Sequence, residues 1–454
     1  MEYSTFMAAV QVPAEVKEVE ISSLYEALKQ VKDKRGQRGR RYTAAVVLTL
    51  LVLAKLAGAV KLSGMAEWLE LRSAMLVKRL PLYRGKVPCA NTYRYVSDHI
   101  DVEELNRVLG DYFAKLTSKA EPSGVGGAAV EKCDVQQAEG TEWTMADERI
   151  GDRMASEAEP SRAEDAACPA KPAELTHLAL DGKSLRGTRR SGEASKAAIH
   201  TVGLYNVSAR FMWQQQAVVG KGQERKAALA LIEPLALHGS VVSADALHTQ
   251  PKWAEAVLDR GGEYLLIAKG NQSELREAIA LLFSQPPRPR LFPESEARTV
   301  DKAHGRLEVR HLRVSSELSE YLAPRWPQVA QVFQIERTIT RHGKTTRELV
   351  YGLTSLTPLQ ATPSQLLALV RHHWHIENRS HWRRDVTLGE DACRLTLGQV
   401  PQVLAALNNC VLAIVDFLRQ PNLAAATRFF CARPEKALDL LLLPLAHQDP
   451  SQFV

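Results

Sequence analysis

Between residues 176 and 271 short apolar runs are separated by turns or by helix-length segments, and two of the runs end in aspartate, LALD at Asp181 and VVSAD at Asp245. A carboxylate at the end of a buried strand is costly unless it is paired, hydrogen-bonded or bound to a metal. The runs read in order as a strand (THLAL), a hairpin (KAAIHTVGLYN and FMWQQQAVVG) turning near 208–210, a helix (RKAALALIEPLAL), a strand (GSVVSADA), a helix (PKWAEAVLDRGG) and a strand (EYLLIAKGN). This β-β-β-α-β-α-β order predicts a mixed α/β sheet whose later strands are buried on both faces.

The order is also that of ribonuclease H-like nucleases, so the expected fold class is α/β with an RNase H-like mixed sheet core. Further on, a helix (NQSELREAIALLF) and a β-rich insertion at about 286–358 are expected, then one long helix over SQLLALVRHHWHIENRSHWRRDV, which contains no Pro or Gly. Residues 20–117 read as all-helical, with Leu105, Val108, Leu109, Tyr112 and Phe113 recurring at helical spacing. The apolar stretch 44–54 falls short of the roughly twenty residues that span a bilayer and reads as a buried helix.

The length of 454 residues gives a soft expectation of about three domains. The boundaries read as a helical N-terminal domain over 1–117, an acidic low-complexity linker over 118–172, a sheet-bearing domain over 173–420 and a helical tail over 421–454. Residues 119–172 hold twelve acids against six bases, so the rest of a chain of net charge +6 carries about +12. That balance suits a polyanion held by phosphate contacts, and also any soluble basic protein. The connectors of the helical region are basic, with Lys32, Lys34, Arg35, Arg38, Arg40 and Arg41 in one run and Lys78, Arg79, Arg84 and Lys86 in another. Such runs suit DNA phosphates, or are simply solvated loops. Six scattered cysteines with no CxxC exclude a disulfide framework and a zinc ribbon. The chain opens without a basic segment followed by an apolar one, so a cytoplasmic location beside the nucleoid and no membrane are expected.

Three acids carry the chemical reading. Asp181 sits in an Asp-Gly pair, which also opens many β-turns. Asp245 would equally cap the helix beginning near Gln250. Glu377 would share a helical face with His373, Trp374, Ser380 and His381, with Arg384 two turns along, or form an ordinary salt bridge to Arg384. Together they match two-metal phosphoryl transfer, which uses acidic oxygen ligands around two Mg²⁺ ions about 4 Å apart. Their separations, 64 and 132 residues, are too long for a local motif, so only the fold brings them together.

LALDGKSLRG, VVSADALHTQ, GGEYLLIAKGNQ, HGRLEVR and HWHIENRSHWRRDVTLGEDACR, in this order, resemble the bacterial insertion-sequence DDE transposases of the H-repeat-associated type. The resemblance covers most of the chain outside 118–172. It implies an RNase H-like catalytic core over 173–420, a DNA-binding helical N-terminal domain, and a catalytic, metal-binding triad of Asp181, Asp245 and Glu377. It further implies two Mg²⁺ ions, with Mn²⁺ substituting, and double-stranded DNA as partner, both the terminal inverted repeats and the target. Related transposases carry a Tyr, Arg, Glu, Lys signature around the third acid; here Val370, His373 and Arg384 stand in the Tyr, Arg and Lys places, and Arg371 lies one turn from the missing arginine.

Further DNA contacts expected on this reading are Lys183, Arg186, Lys269, Asn271, Gln272, Arg371, His373, Arg383 and Arg384, with Arg38, Arg40 and Arg41 in the helical region. His248 would contact a phosphate, or else pack, and Trp382 would stack on a base, or else lie in the core. Joining two ends calls for a homodimer in the DNA complex. A zinc hydrolase built on His372, His373, His375 and His381 is a poor rival, because no HExxH occurs. A catalytically inactive, transposase-derived DNA-binding protein is the alternative.

Overall fold

The structure is a computed structural model that describes residues 22–119, 175–189, 198–218, 222–448 and 453, apart from positions 39, 287, 288, 290, 291, 293, 304 and 397. The expected linker at 118–172 lies outside the described residues but for its first two positions. The described residues form two compact units, one from Met1–Glu121, Thr176–Gly262 and Leu369–Val454, the other from Glu263–Ala368.

In the first unit β1 (Thr176–Leu185), β2 (Ile199–Asn206), β3 (Phe211–Val218) and β4 (Ser240–Ala244) lie in the order β3-β2-β1-β4. The first three form an antiparallel meander, and β4 runs parallel to β1. A parallel return needs a crossover, and the Glu224–Ile232 helix supplies it. Every residue of β4 is buried, as its unbroken apolar run predicts for a strand covered on both faces.

The helices of this unit share one core. All thirteen residues of the Ala44–Leu56 helix are buried, and Thr43 caps its first turn. Around it pack Leu24–Leu28, Val102–Lys119, Leu423–Ala432 and Pro434–Leu442, together with Val400–Phe417 and with Phe211 of β3. The Val400–Phe417 helix is long and apolar enough to cross a bilayer, yet 83% of it is buried inside the protein. Helices from both ends of the chain therefore fill a single interior.

That interior contains charge. Lys55, 3% exposed, donates to Asn408 Oδ1 at 2.7 Å, and Asn408 donates in turn to Glu390 at 2.8 Å. Arg384, with no exposed surface, pairs with Glu390 at 2.9 Å and donates to Gln215 of β3 at 3.1 Å. Lys183 of β1 closes the network on Asp385, 2.6 Å from both carboxylate oxygens.

In the second unit β5 (Glu263–Ala268), β6 (Ser295–Ala303), β7 (Arg306–Ser315), β8 (Gln331–Arg341) and β9 (Lys344–Thr354) lie in the order β5-β9-β8-β7-β6, every pair antiparallel. The expected β insertion is thus two long hairpins. The β8/β9 tip places His342 and Gly343 at φ 49° and 73°, the twist that tight two-residue hairpins require. Glu308, 2% exposed, is surrounded by Arg306, Arg310 and Arg337.

Burial in the first unit pushes the Lys55 ammonium down to about 8 from 10.5. A lysine with a lowered folded value binds fewer protons folded than unfolded between these pH values, so the cost of its buried charge is full below pH 8 and relieved as pH rises toward 10.5. The shift corresponds to about 3 kcal/mol. Denaturant unfolding of wild type and Lys55→Met from pH 7 to 10.5 should show their difference moving by that order in favour of wild type; a constant difference would contradict it.

Candidate active site

All three acids stand on the first unit. The parallel register of β1 with β4 ends at Leu180 opposite Ala244, so Asp181 and Asp245 are the next residues on neighbouring strands, whose backbones run about 4.8 Å apart. Asp181 is not at a turn: β1 continues to Leu185, pairing Asp181 with Gly203 of β2. Gly182 serves close approach instead, because a Cβ there would come within 2.6 Å of His200 Nε2 and 3.6 Å of Glu224. Asp245 accepts from the Leu247 N–H at 3.1 Å, capping a short 3₁₀ turn at Ala246–His248 rather than the helix that starts at Pro251.

Glu377 lies where the expected single helix departs from α geometry. An α-helix ends at His373, a π turn spans Ile376–His381, and a further α turn covers Trp382–Val386. The Trp382 N–H bonds to the Glu377 carbonyl five residues back, a step that re-phases the helix faces and recurs at functional sites. Glu377 is consequently exposed while Ser380 and Arg384 are buried. The expected common face of Glu377, Ser380 and Arg384 does not form, and Arg384 pairs with Glu390 instead. His381 does reach the site, with Nδ1 3.6 Å from Asp181 Oδ2. Burial, reinforced by Arg384 and Lys183, holds its ring neutral.

The charge balance is unusual. Burial pushes the Asp181 carboxyl up to about 7; the Gly182 N–H opposes this, and the charges of Asp245, Glu377 and Glu224 add to it. The three predicted acids are therefore close enough to repel, and a fourth, Glu224, joins them from the first turn of its helix, 3.2 Å from His200 Nε2. Nothing in the sequence singled out Glu224, because its position follows only from the crossover. Among the described residues no three His, Cys, Asp or Glu groups close around a single point in the manner of a metal cage.

The predicted basic contacts separate into two sets. Lys183, Arg384 and Arg383 are turned inward: the first two into the buried network, Arg383 onto Asp416 at 2.7 and 2.8 Å. Their charges are taken up by internal carboxylates, as burial requires. His248 is 2% exposed, packs near Trp253 and is held below its ordinary range by burial, so it is a packing residue. His373 bonds to Ser243 at 2.9 Å, and Arg371 sits in the last turn of the Pro363–His373 helix. Arg40 folds back on the Gly36 and Asp33 carbonyls, and Arg41 lies 5.9 Å from the centre of the Tyr83 ring. Arg186, Arg38 and Arg41 face solvent, as does Trp382 at 57% exposure; Lys269 and Asn271 are exposed on the second unit, while Gln272 is buried there.

Comparison with known proteins bears on this geometry. Residues 172–413 match the profile of the transposase DDE domain, and residues 25–113 match the domain associated with it. The chain is 28% identical over 244 residues to YbfL and, at the same identity and length, to the H repeat-associated protein YhhI, both of Escherichia coli (strain K12). Each alignment covers 52% of this chain and 63% of the relative, so the chain spans just under two thirds of the curated relatives it matches. A solved synaptic complex of the piggyBac transposase with hairpin DNA matches 91% of this chain and 76% of its own at 10% identity and a TM-score of 0.39, too loose a likeness to carry an argument. With more than half of its residues matched to that profile and the acids gathered on one unit, the chain belongs to the transposase DDE domain family.

Proposed function

We propose that this protein is a DNA transposase that cleaves the phosphodiester at the ends of an insertion sequence and joins the freed 3′ hydroxyl to target DNA. The observation that carries this reading is the placement of Asp181 and Asp245 side by side beyond the parallel β1/β4 ladder, with Glu377 near enough to help raise the Asp181 carboxyl. We read the β3-β2-β1-β4 order with its crossover helix as an RNase H-like core. Its partners would be terminal inverted repeats and target DNA, engaged by a homodimer beside the nucleoid. The presence of all three acids weighs against a non-catalytic DNA-binding descendant.

The donor set fits hard divalent cations: the acids offer only oxygen, and the charges of Asp245, Glu377 and Glu224 all push the Asp181 carboxyl up. Asp181, Asp245 and Glu377 would hold Mg²⁺, or Mn²⁺ in its place, two ions in all, which when bound activate the attacking oxygen and stabilise the leaving one. The chain's own groups position these carboxylates. The Gly182 and Leu247 N–H groups each fix one oxygen of an aspartate. Neutral His381 borders Asp181 without adding charge. Arg186, exposed just past β1, would meet a DNA backbone.

Asp181→Asn, Asp245→Asn and Glu377→Gln should each abolish Mg²⁺- or Mn²⁺-dependent cutting of a plasmid bearing the gene's flanking DNA while leaving DNA binding intact; cleavage by either aspartate variant would refute the assignment. A second test needs no activity. An aspartate whose folded value is raised from 3.8 to about 7 loses stability as pH rises through that window and bears the full cost above it. In EDTA, Asp181→Asn should therefore gain on wild type between pH 4 and 7 by an amount on the order of 4 kcal/mol, and added Mn²⁺ should stabilise wild type but not the variant. A gap independent of pH would contradict the geometry of the site.

A further inference from the structure

His177 stands four residues ahead of Asp181 on β1, Ser243 two ahead of Asp245 on β4, and His373 four ahead of Glu377 on its helix. These three residues are bonded in series. His177 Nε2 lies 2.7 Å from Ser243 Oγ, and Ser243 Oγ lies 2.9 Å from His373 Nδ1. The chain thus links the same three stretches that carry the acids, two or four residues ahead of each acid. Its first two members are buried, with His177 at 4% exposure and Ser243 at 1%.

The direction of the bonds follows from what each atom can do. His177 Nδ1 is buried and has no partner among the described groups, and a buried N–H without an acceptor is rarer and costlier than a bare lone pair. The His177 proton therefore sits on Nε2 and is donated to Ser243 Oγ. The single hydroxyl proton of Ser243 is then donated to His373 Nδ1, the better placed of its acceptors, since the Leu178 carbonyl lies at 3.4 Å. Burial drives the His177 ring down to about 3, so it stays neutral, with Nδ1 bare and Nε2 the donor. His373, held at Nδ1 by Ser243, is a ring that orients the start of the π turn.

We infer that Ser243 is a positioning residue for the acid triad, locking the Glu377 helix to the two aspartate strands through a His177–Ser243–His373 relay. The inference rests on the transposase reading. It gives the histidine in the place of the family's arginine a task of its own, bracing the strands from behind. Misplacing a reacting group by about 1 Å can cost on the order of a hundredfold in rate.

The test is single-turnover cleavage of end DNA by wild type, Ser243→Ala and Ser243→Thr across a Mn²⁺ titration, with end-DNA binding measured alongside. Ser243→Ala should bind within about twofold of wild type, cleave at least about tenfold more slowly, and need more Mn²⁺ for half its maximal rate, while Ser243→Thr, which keeps the hydroxyl, restores all three. Ser243→Ala cutting as fast as wild type overturns the inference, and so does an alanine and threonine pair equally slow, which would make packing the cause. Should thermal melting show Ser243→Ala unfolded, His373→Gln, at a half-buried helix position, carries the same expectations. A wild type that cuts in neither metal brings down the transposase reading and this inference together; an active wild type with an unimpaired Ser243→Ala removes the inference alone.

Discussion

Arg384 has no exposed surface, and its guanidinium is held by Glu390 at 2.9 Å and by Gln215 at 3.1 Å. A charge so placed stabilises nothing by itself, since its desolvation offsets most of the Coulomb attraction; what it does is forbid alternatives, because losing one partner costs roughly 3–5 kcal/mol. The partners come from far apart in the chain. Glu390 also takes the Asn408 amide, Asn408 takes Lys55 from the N-terminal helices, and Lys183 on β1 takes Asp385. Strand, the helix that follows Glu377 and both sets of helices in the first unit are thus joined by groups that cannot be left unpaired. A shift of the Glu377 helix against β1 would strand at least one buried charge.

Such bracing matters because the acids work against it. The charges of Asp245, Glu377 and Glu224 each raise the cost of ionising Asp181, and repulsion of this kind spreads a site open unless its backbone is fixed. Two devices flank the acids on the described chain. Ahead of them lies the His177–Ser243–His373 relay; beyond them lie Lys183 and Arg384 in the charge network. The strain is concentrated on carboxylate oxygens, where a divalent cation can relieve it, as perturbed groups at functional sites commonly do.

Much of this was legible in the sequence, for definite reasons. The element order came from apolar runs and turn residues, which report local burial directly, and the three acids were found because an acid ending a buried run is anomalous. The helix through Glu377 was read as uninterrupted, because a π turn inserts a step that leaves no mark in a stretch without Gly or Pro. In sequence Lys183 and Arg384 look like DNA contacts, since a basic residue near a candidate acid looks alike whether it faces solvent or an internal carboxylate. What decides between those is Asp385, Glu390 and Gln215, and Gln215 lies 169 residues from Arg384. The Asp-Gly pair suggests a turn in sequence, but the neighbour that demands a glycine at 182 is His200, on the adjacent strand. Ser243 gave no signal, being one small polar residue in an apolar strand.

The division of the basic residues limits how the proposed DNA contact is made. A cation engaged by a buried carboxylate cannot also neutralise a phosphate, so Lys183, Arg383 and Arg384 fall outside the electrostatic footprint. The grip then rests on exposed groups such as Arg186 beside the triad strand and Arg38 and Arg41 in the helical region. Phosphate contacts of this kind place a backbone without reading its bases. The exposed indoles of Trp374 and Trp382, on either side of the π turn and within a few residues of Glu377, offer flat apolar faces, and stacking on such faces is likewise indifferent to sequence. Inward cations brace the elements that carry the acids while outward ones stay free for the proposed polyanion, so the two tasks fall to different side chains on the same strand and helix.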